Sequence, residues 1–124
     1  MKYMLLIYSD SKSWEAVDEA TQGKIMGDYF AYTQAIVDSG EMVGGDPLQG
    51  IDTATTVRMT NGQRVTSDGP FAETKEILGG YYIVDVADLD RALELAAALP
   101  GAAMGLDSIE VRPIQELPPD MMPS

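Results

Sequence analysis

The chain predicts an α+β domain of ferredoxin-like type, a split β-α-β arrangement with an antiparallel sheet. Three observations carry this. Two amphipathic helical stretches alternate with strand-like runs, an Asn-Gly turn marks a hairpin in the middle, and the order reads β-α-β-β-β-α-β. Residues 3–8, Tyr-Met-Leu-Leu-Ile-Tyr, are a short apolar run closed by Ser9-Asp10, which reads as a strand buried on both faces. Residues 14–38 read as a helix. Ile25, Tyr29, Tyr32, Ile36 and Val37 recur at steps of three and four, and Met26 and Phe30 widen the stripe. Ser13 is the expected N-cap, Glu15 and Asp18 suit the first turn, and Gly40 is the expected stop. Gly23 and Gly27 weaken the middle, so any break is expected near Gly23.

Residues 42–51, with Gly44-Gly45-Asp46-Pro47, read as an irregular connection. Residues 53–60 and 63–67 flank Asn61-Gly62, a strong hairpin signal because both turn residues need positive φ. Residues 79–86 form a strand. Residues 88–99 form a helix with Leu89, Leu93, Ala96, Ala97 and Leu99 on its inner stripe and a stop at Pro100-Gly101. Residues 108–114 close the domain as a strand, and the tail from Pro118 is expected to be loose. A single domain over residues 1–117 follows, with residues 118–124 outside it.

Composition narrows the function. The 124 residues suffice for one domain, and 45% hydrophobic content can build a core. Twenty acids against eight bases leave a net charge of −12, which disfavours nucleic acid and anionic membranes alike. No cysteine is present, so disulfides and thiolate chemistry are excluded, and no histidine is present either. The apolar start is too short for a signal peptide and no other segment approaches transmembrane length, so a cytoplasmic location is expected. Tyr3, Leu5 and Ile7 alternate with Met4, Leu6 and Tyr8, so both faces of the first strand are apolar. Helices on one face leave the other needing cover, and a second copy supplies it. A homodimer is expected.

Asp68-Gly69-Pro70-Phe71-Ala72-Glu73-Thr74-Lys75-Glu76 packs four charged side chains behind a rigid turn and leads into Gly79-Gly80-Tyr81-Tyr82. With residues 1–8, Thr55-Thr56-Val57-Arg58 and Ile109-Glu110-Val111-Arg112-Pro113-Ile114, this string resembles the YCII-related family in its DGPF-domain branch, in order from Met1 to about Leu117. The resemblance implies a bacterial protein with a ferredoxin-like fold assembled as a dimeric α+β barrel. Some members of the wider family carry a His-Asp pair proposed for acid-base work, and one is linked to dehydrochlorination of an aromatic breakdown product. Members of the branch are encoded beside extracytoplasmic-function sigma factors. With no histidine here, Tyr29 falls roughly where the family histidine would sit.

Two functions are therefore expected. In the first, a cleft of the barrel binds or transforms a small metabolite by acid-base chemistry. Glu73, Glu76 and Tyr29 are its acid-base candidates; Arg58, Asp68, Lys75 and Tyr32 are its ligand-binding candidates. Each has a plainer role beside it: Asp68 forms a turn, Lys75 neutralises its neighbours, and the tyrosines pack. No metal is expected, since the Asp68, Glu73, Glu76 spacing matches no calcium loop, and no cofactor. In the second, the chain is a non-catalytic regulatory module that meets a sigma factor through protein contacts.

Overall fold

The computed structural model describes residues 1–72 and 74–121. In chain order it contains β1 (Lys2–Asp10), α1 (Ser11–Glu15), α2 (Glu19–Asp38), β2 (Met42–Pro47), β3 (Thr55–Thr60), β4 (Gln63–Asp68), β5 (Glu76–Asp85), α3 (Leu89–Ala97), α4 (Pro100–Ala103) and β6 (Asp107–Pro113). Four strands form one antiparallel sheet in the order β2-β5-β1-β6, and β3 pairs only with β4. This is the expected α+β class with antiparallel sheets.

Strand β1 runs down the centre. Its alternation places Tyr3, Leu5 and Ile7 under the helices with Val84, Ile36, Leu95 and Leu99. Leu5, Ile25, Leu99 and Val84 are fully buried, each worth roughly 1.5–3 kcal/mol over exposure. Met4, Leu6 and Tyr8 point to the opposite face of the sheet and remain half-buried.

Four sequence expectations are corrected. The first helix is two: Asp10 caps α1 by accepting from the Lys12 amide at 3.0 Å, and Asp18 caps α2 by accepting from the Thr21 amide at 2.7 Å. The break thus falls before Glu19, where a capping side chain is available, and helix continues through Gly23. Residues 42–47 form a strand rather than a connection. Gly45 serves close backbone approach, because a Cβ there would lie 2.7 Å from the Tyr81 carbonyl oxygen. The hairpin, expected within one roughly four-stranded antiparallel sheet, instead forms a two-stranded sheet of its own. Finally, α3 buries Ala92, Leu95 and Ala96 and leaves Leu89 and Leu93 about half exposed. That helix has two overlapping stripes, and the one with small residues lets it sit close to the sheet.

The turn predictions hold locally. Asn61 and Gly62 both take positive φ, 52° and 77°, and Gly40 ends α2 at φ 79°. Beyond α2, Glu41 accepts two bonds of 2.8 Å from the Arg91 guanidinium, clamping the entry to β2 against α3. That fork and a Ser39 hydroxyl hold the Glu41 carboxyl down at about 2.

Candidate active-site cleft

A cleft of about 420 Å³ opens between α2 and the sheet. Its origin is a shortage of side chains. Where β5 passes the end of β1 it carries Gly79 and Gly80, and the pairing slips so that Ile7 faces Gly80 while Tyr8 faces Leu78. Gly79 is the extra residue of this bulge, and the floor beneath α2 stays open. Tyr29, Phe30 and Thr33 of α2 form one wall, Tyr82 of β5 and Met42 of β2 another. Trp14, delivered by the short helix α1, closes one end. Gln22 of α2 holds that helix by donating to the carbonyls of Trp14 and Val17 at 3.1 and 3.0 Å.

The polar centre is Asp107, the first residue of β6. Antiparallel register sets it opposite Ser9. Its Oδ1 accepts from the Ser9 hydroxyl and from the Trp14 indole N–H, each at 2.8 Å. Its Oδ2 accepts from the Tyr29 hydroxyl at 3.3 Å. Tyr29 in turn accepts from the Gly101 amide at 3.3 Å. Gly101 leaves room for the site, since a Cβ there would fall inside the Asp107 carboxylate and displace it. Among the described residues the carboxylate has no cationic partner: the ion pairs use Asp85, Asp28, Asp10, Glu41 and Glu94 instead. Every donor holding Asp107 is neutral.

Burial pushes the Tyr29 phenol up to about 12, and the Asp107 charge adds to this. At neutral pH Tyr29 is therefore a neutral donor that orients Asp107. Tyr32 is raised further, again chiefly by burial. Its hydroxyl donates to the Leu95 carbonyl at 2.8 Å, and its ring meets Tyr82 edge-on at 5.5 Å. Tyr82 and Thr33 share a hydroxyl–hydroxyl bond of 2.7 Å on the cleft wall.

The remaining candidates lie elsewhere. Arg58 sits on the hairpin with its guanidinium 4.8 Å from the centre of the Phe71 ring. Asp68 ends β4 and is exposed, ahead of Gly69 at φ 101°. Lys75 reaches Asp10 at 3.5 Å, and Glu76 accepts from the Ser108 hydroxyl at 3.3 Å. Glu73 lies outside the described residues. Of the candidates among the described residues, Tyr29 alone lines the cleft. Trp14, Ser9 and Asp107 were not singled out from sequence. They lie 93 and 98 positions apart along the chain, and only strand register joins them. The faint signal available was a lone tryptophan beside a strand end. Among the described residues no group of three or more carboxylates is placed to hold a metal, and no helix is long and apolar enough to cross a membrane.

The chain is thus an antiparallel α+β domain with a largely apolar cleft around the Asp107 carboxylate. The chain belongs to the YCII-related family, whose domain model matches residues 1–117. It is similar to an uncharacterised protein of Rhizobium meliloti (strain 1021), 36% identical over 124 residues and covering all of both chains. Its fold resembles that of 5-chloro-2-hydroxyhydroquinone dehydrochlorinase from Burkholderia phenoliruptrix AC1100, solved in complex with 2,5-dihydroxybenzoquinone. There the TM-score is 0.58 at 14% identity, over 93% of this chain and 94% of the other. That likeness shows the fold alone.

Proposed function

We propose that the protein binds a small organic metabolite in the α2–sheet cleft and moves a proton on it, with Asp107 as the proton acceptor. The observation that carries this reading is a carboxylate at the base of an aromatic-walled cleft, oriented by Ser9, Trp14 and Tyr29 and neutralised by none of them. Tyr29 orients that carboxylate and remains protonated through catalysis, since a phenol at about 12 is a poor base at neutral pH. The dehydrochlorinase shares this fold, and its elimination is a reaction of the same class. The bound compound is the source of specificity, and Thr33 and Tyr82 offer it hydroxyls on the wall.

The working unit in this proposal is a cytoplasmic homodimer. What supports it is the half-buried face of Met4, Leu6 and Tyr8, joined by Tyr81 and Ile83 of β5. Leu6→Asp should yield monomers by light scattering; a wild-type protein already monomeric at micromolar concentration would overturn the assembly.

For the activity, a metabolite library should be screened by thermal shift and the hits incubated in deuterated buffer. Wild type should exchange one ligand proton for deuterium, and Asp107→Asn should lose that exchange by about a hundredfold or more. Binding without exchange in any hit would leave a binding protein and remove the enzyme.

A further inference from the structure

We infer that the cleft selects a positively charged organic ligand, an ammonium compound, over neutral and anionic ones. This rests on the reading of the cleft as the ligand site and names the class of compound it takes. Trp14, Tyr29, Phe30 and Tyr82 present aromatic rings around the cavity, and Asp107 is the carboxylate at its centre; Asp46 borders it on β2, but its carboxylate is bonded to the Tyr81 hydroxyl on the other face of the sheet. Among the described residues, no lysine or arginine reaches it. Arg58, the cation that a carboxylate ligand would want, is on the hairpin against Phe71.

The physics of such a site favours cations in three ways. Aromatic faces carry negative quadrupole potential, and a desolvated ammonium gains most from several rings at once. Asp107 is half-buried and its hydrogen-bond partners are all uncharged, so its field reaches into the cavity uncancelled. Around it the whole chain carries a net charge of −12, which concentrates cations and repels anions. A quaternary or protonated amine seated among the rings would supply the missing partner of Asp107. In the proton-transfer reading, its positive charge would also acidify the neighbouring C–H bonds.

The test uses a charge-only comparison on the intact protein. Choline and its uncharged isostere 3,3-dimethylbutan-1-ol have the same shape, and benzoate supplies the anionic aromatic case. Trp14 is the single tryptophan of the chain, so its indole N–H resonance reports on the cleft and nothing else. At matched ionic strength, choline should move that resonance with a Kd at least about tenfold below that of the alcohol. Benzoate should not compete. In Asp107→Asn the gap between choline and the alcohol should shrink while alcohol binding persists; the wild-type comparison stands even if that variant folds poorly. Equal affinity for choline and the alcohol, or tighter binding of benzoate, would overturn the charge preference and leave the cleft as a ligand site. No movement of the indole resonance with any of the three would overturn the ligand site as well.

Discussion

The cleft and the β3–β4 hairpin are both made of strands, turns and aromatic side chains, yet they stand in opposite relation to the core. Around the cleft, β1 and β5 pair over nine positions and lie beneath helices. On the hairpin nearly every side chain is exposed, including Val57, Met59 and Val65. At its base the two strands are tied to each other by the Gly69 amide on the Ala54 carbonyl and the Thr56 hydroxyl on the Gly69 carbonyl, each 2.8 Å. A two-stranded ribbon with no third strand is marginal in water by itself. The strongest local signals in the chain, Asn61-Gly62 and the Asp68-Gly69-Pro70-Phe71 turn, thus shape its most peripheral part. The candidate site sits where local signals are weakest.

That contrast should show first in core substitutions. Leu5→Ala should cost about 2–5 kcal/mol in urea denaturation, whereas Val57→Ala on the hairpin should stay within about 0.5 kcal/mol. A comparable loss at Val57 would mean that the hairpin is packed against something in solution, and would sharpen the case for a dimer that covers it.

The glycines sharpen the comparison further. Gly101→Ala drives a methyl group into the Asp107 carboxylate and should cost about 1–3 kcal/mol while shifting the Trp14 indole resonance. Gly27→Ala, on the open side of α2 with nothing near it, should instead stabilise by about 0.5–1 kcal/mol. Matching signs would break the claim that Gly101 is reserved for the site.

Titration separates the two regions next. Tyr29 is raised from 10.0 to about 12, so the folded state prefers the neutral phenol. Its contribution to stability is full below pH 10 and is lost as pH rises through about 12. Absorbance titration at alkaline pH should show a late-ionising tyrosine class, and Tyr29→Phe should shrink it. At the acid end, Glu41 falls from 4.5 to about 2 through Arg91, so that pair stabilises above pH 4.5 and fades as pH falls toward about 2. Arg91→Gln should flatten the acid limb of the stability curve; an unchanged limb would dissolve the clamp. The smallest effect belongs to the hairpin: Arg58→Ala should cost about 0.5 kcal/mol, the size of an exposed cation–ring contact.

Much of the fold was legible in the chain because its signals are local. A buried first strand, a helix stopped by Gly40, a hairpin on Asn61-Gly62 and a closing strand each follow from residues within a few positions of one another. The misreadings share a cause. Residues 42–47 look like loop because Gly44-Gly45 and Pro47 lack strand propensity, and only the pressed backbone of Tyr81 and Tyr82 explains Gly45. The stripe of α3 was misjudged because two phases are nearly equal in hydrophobicity, and docking chose between them.

By itself, then, the sequence determined the α+β class, the acidity, the lack of thiol and imidazole chemistry and the family. Hydrophobic periodicity, turn chemistry and composition act within short stretches or over the whole chain, and both are readable in one dimension. The site was decided by tertiary structure. Asp107 meets Ser9 only through the register of β1 with β6, Trp14 arrives on a single helical turn, and the open floor depends on a bulge at Gly79. None of these contacts leaves a local pattern, because the residues that make them are joined through space across nearly a hundred positions of chain.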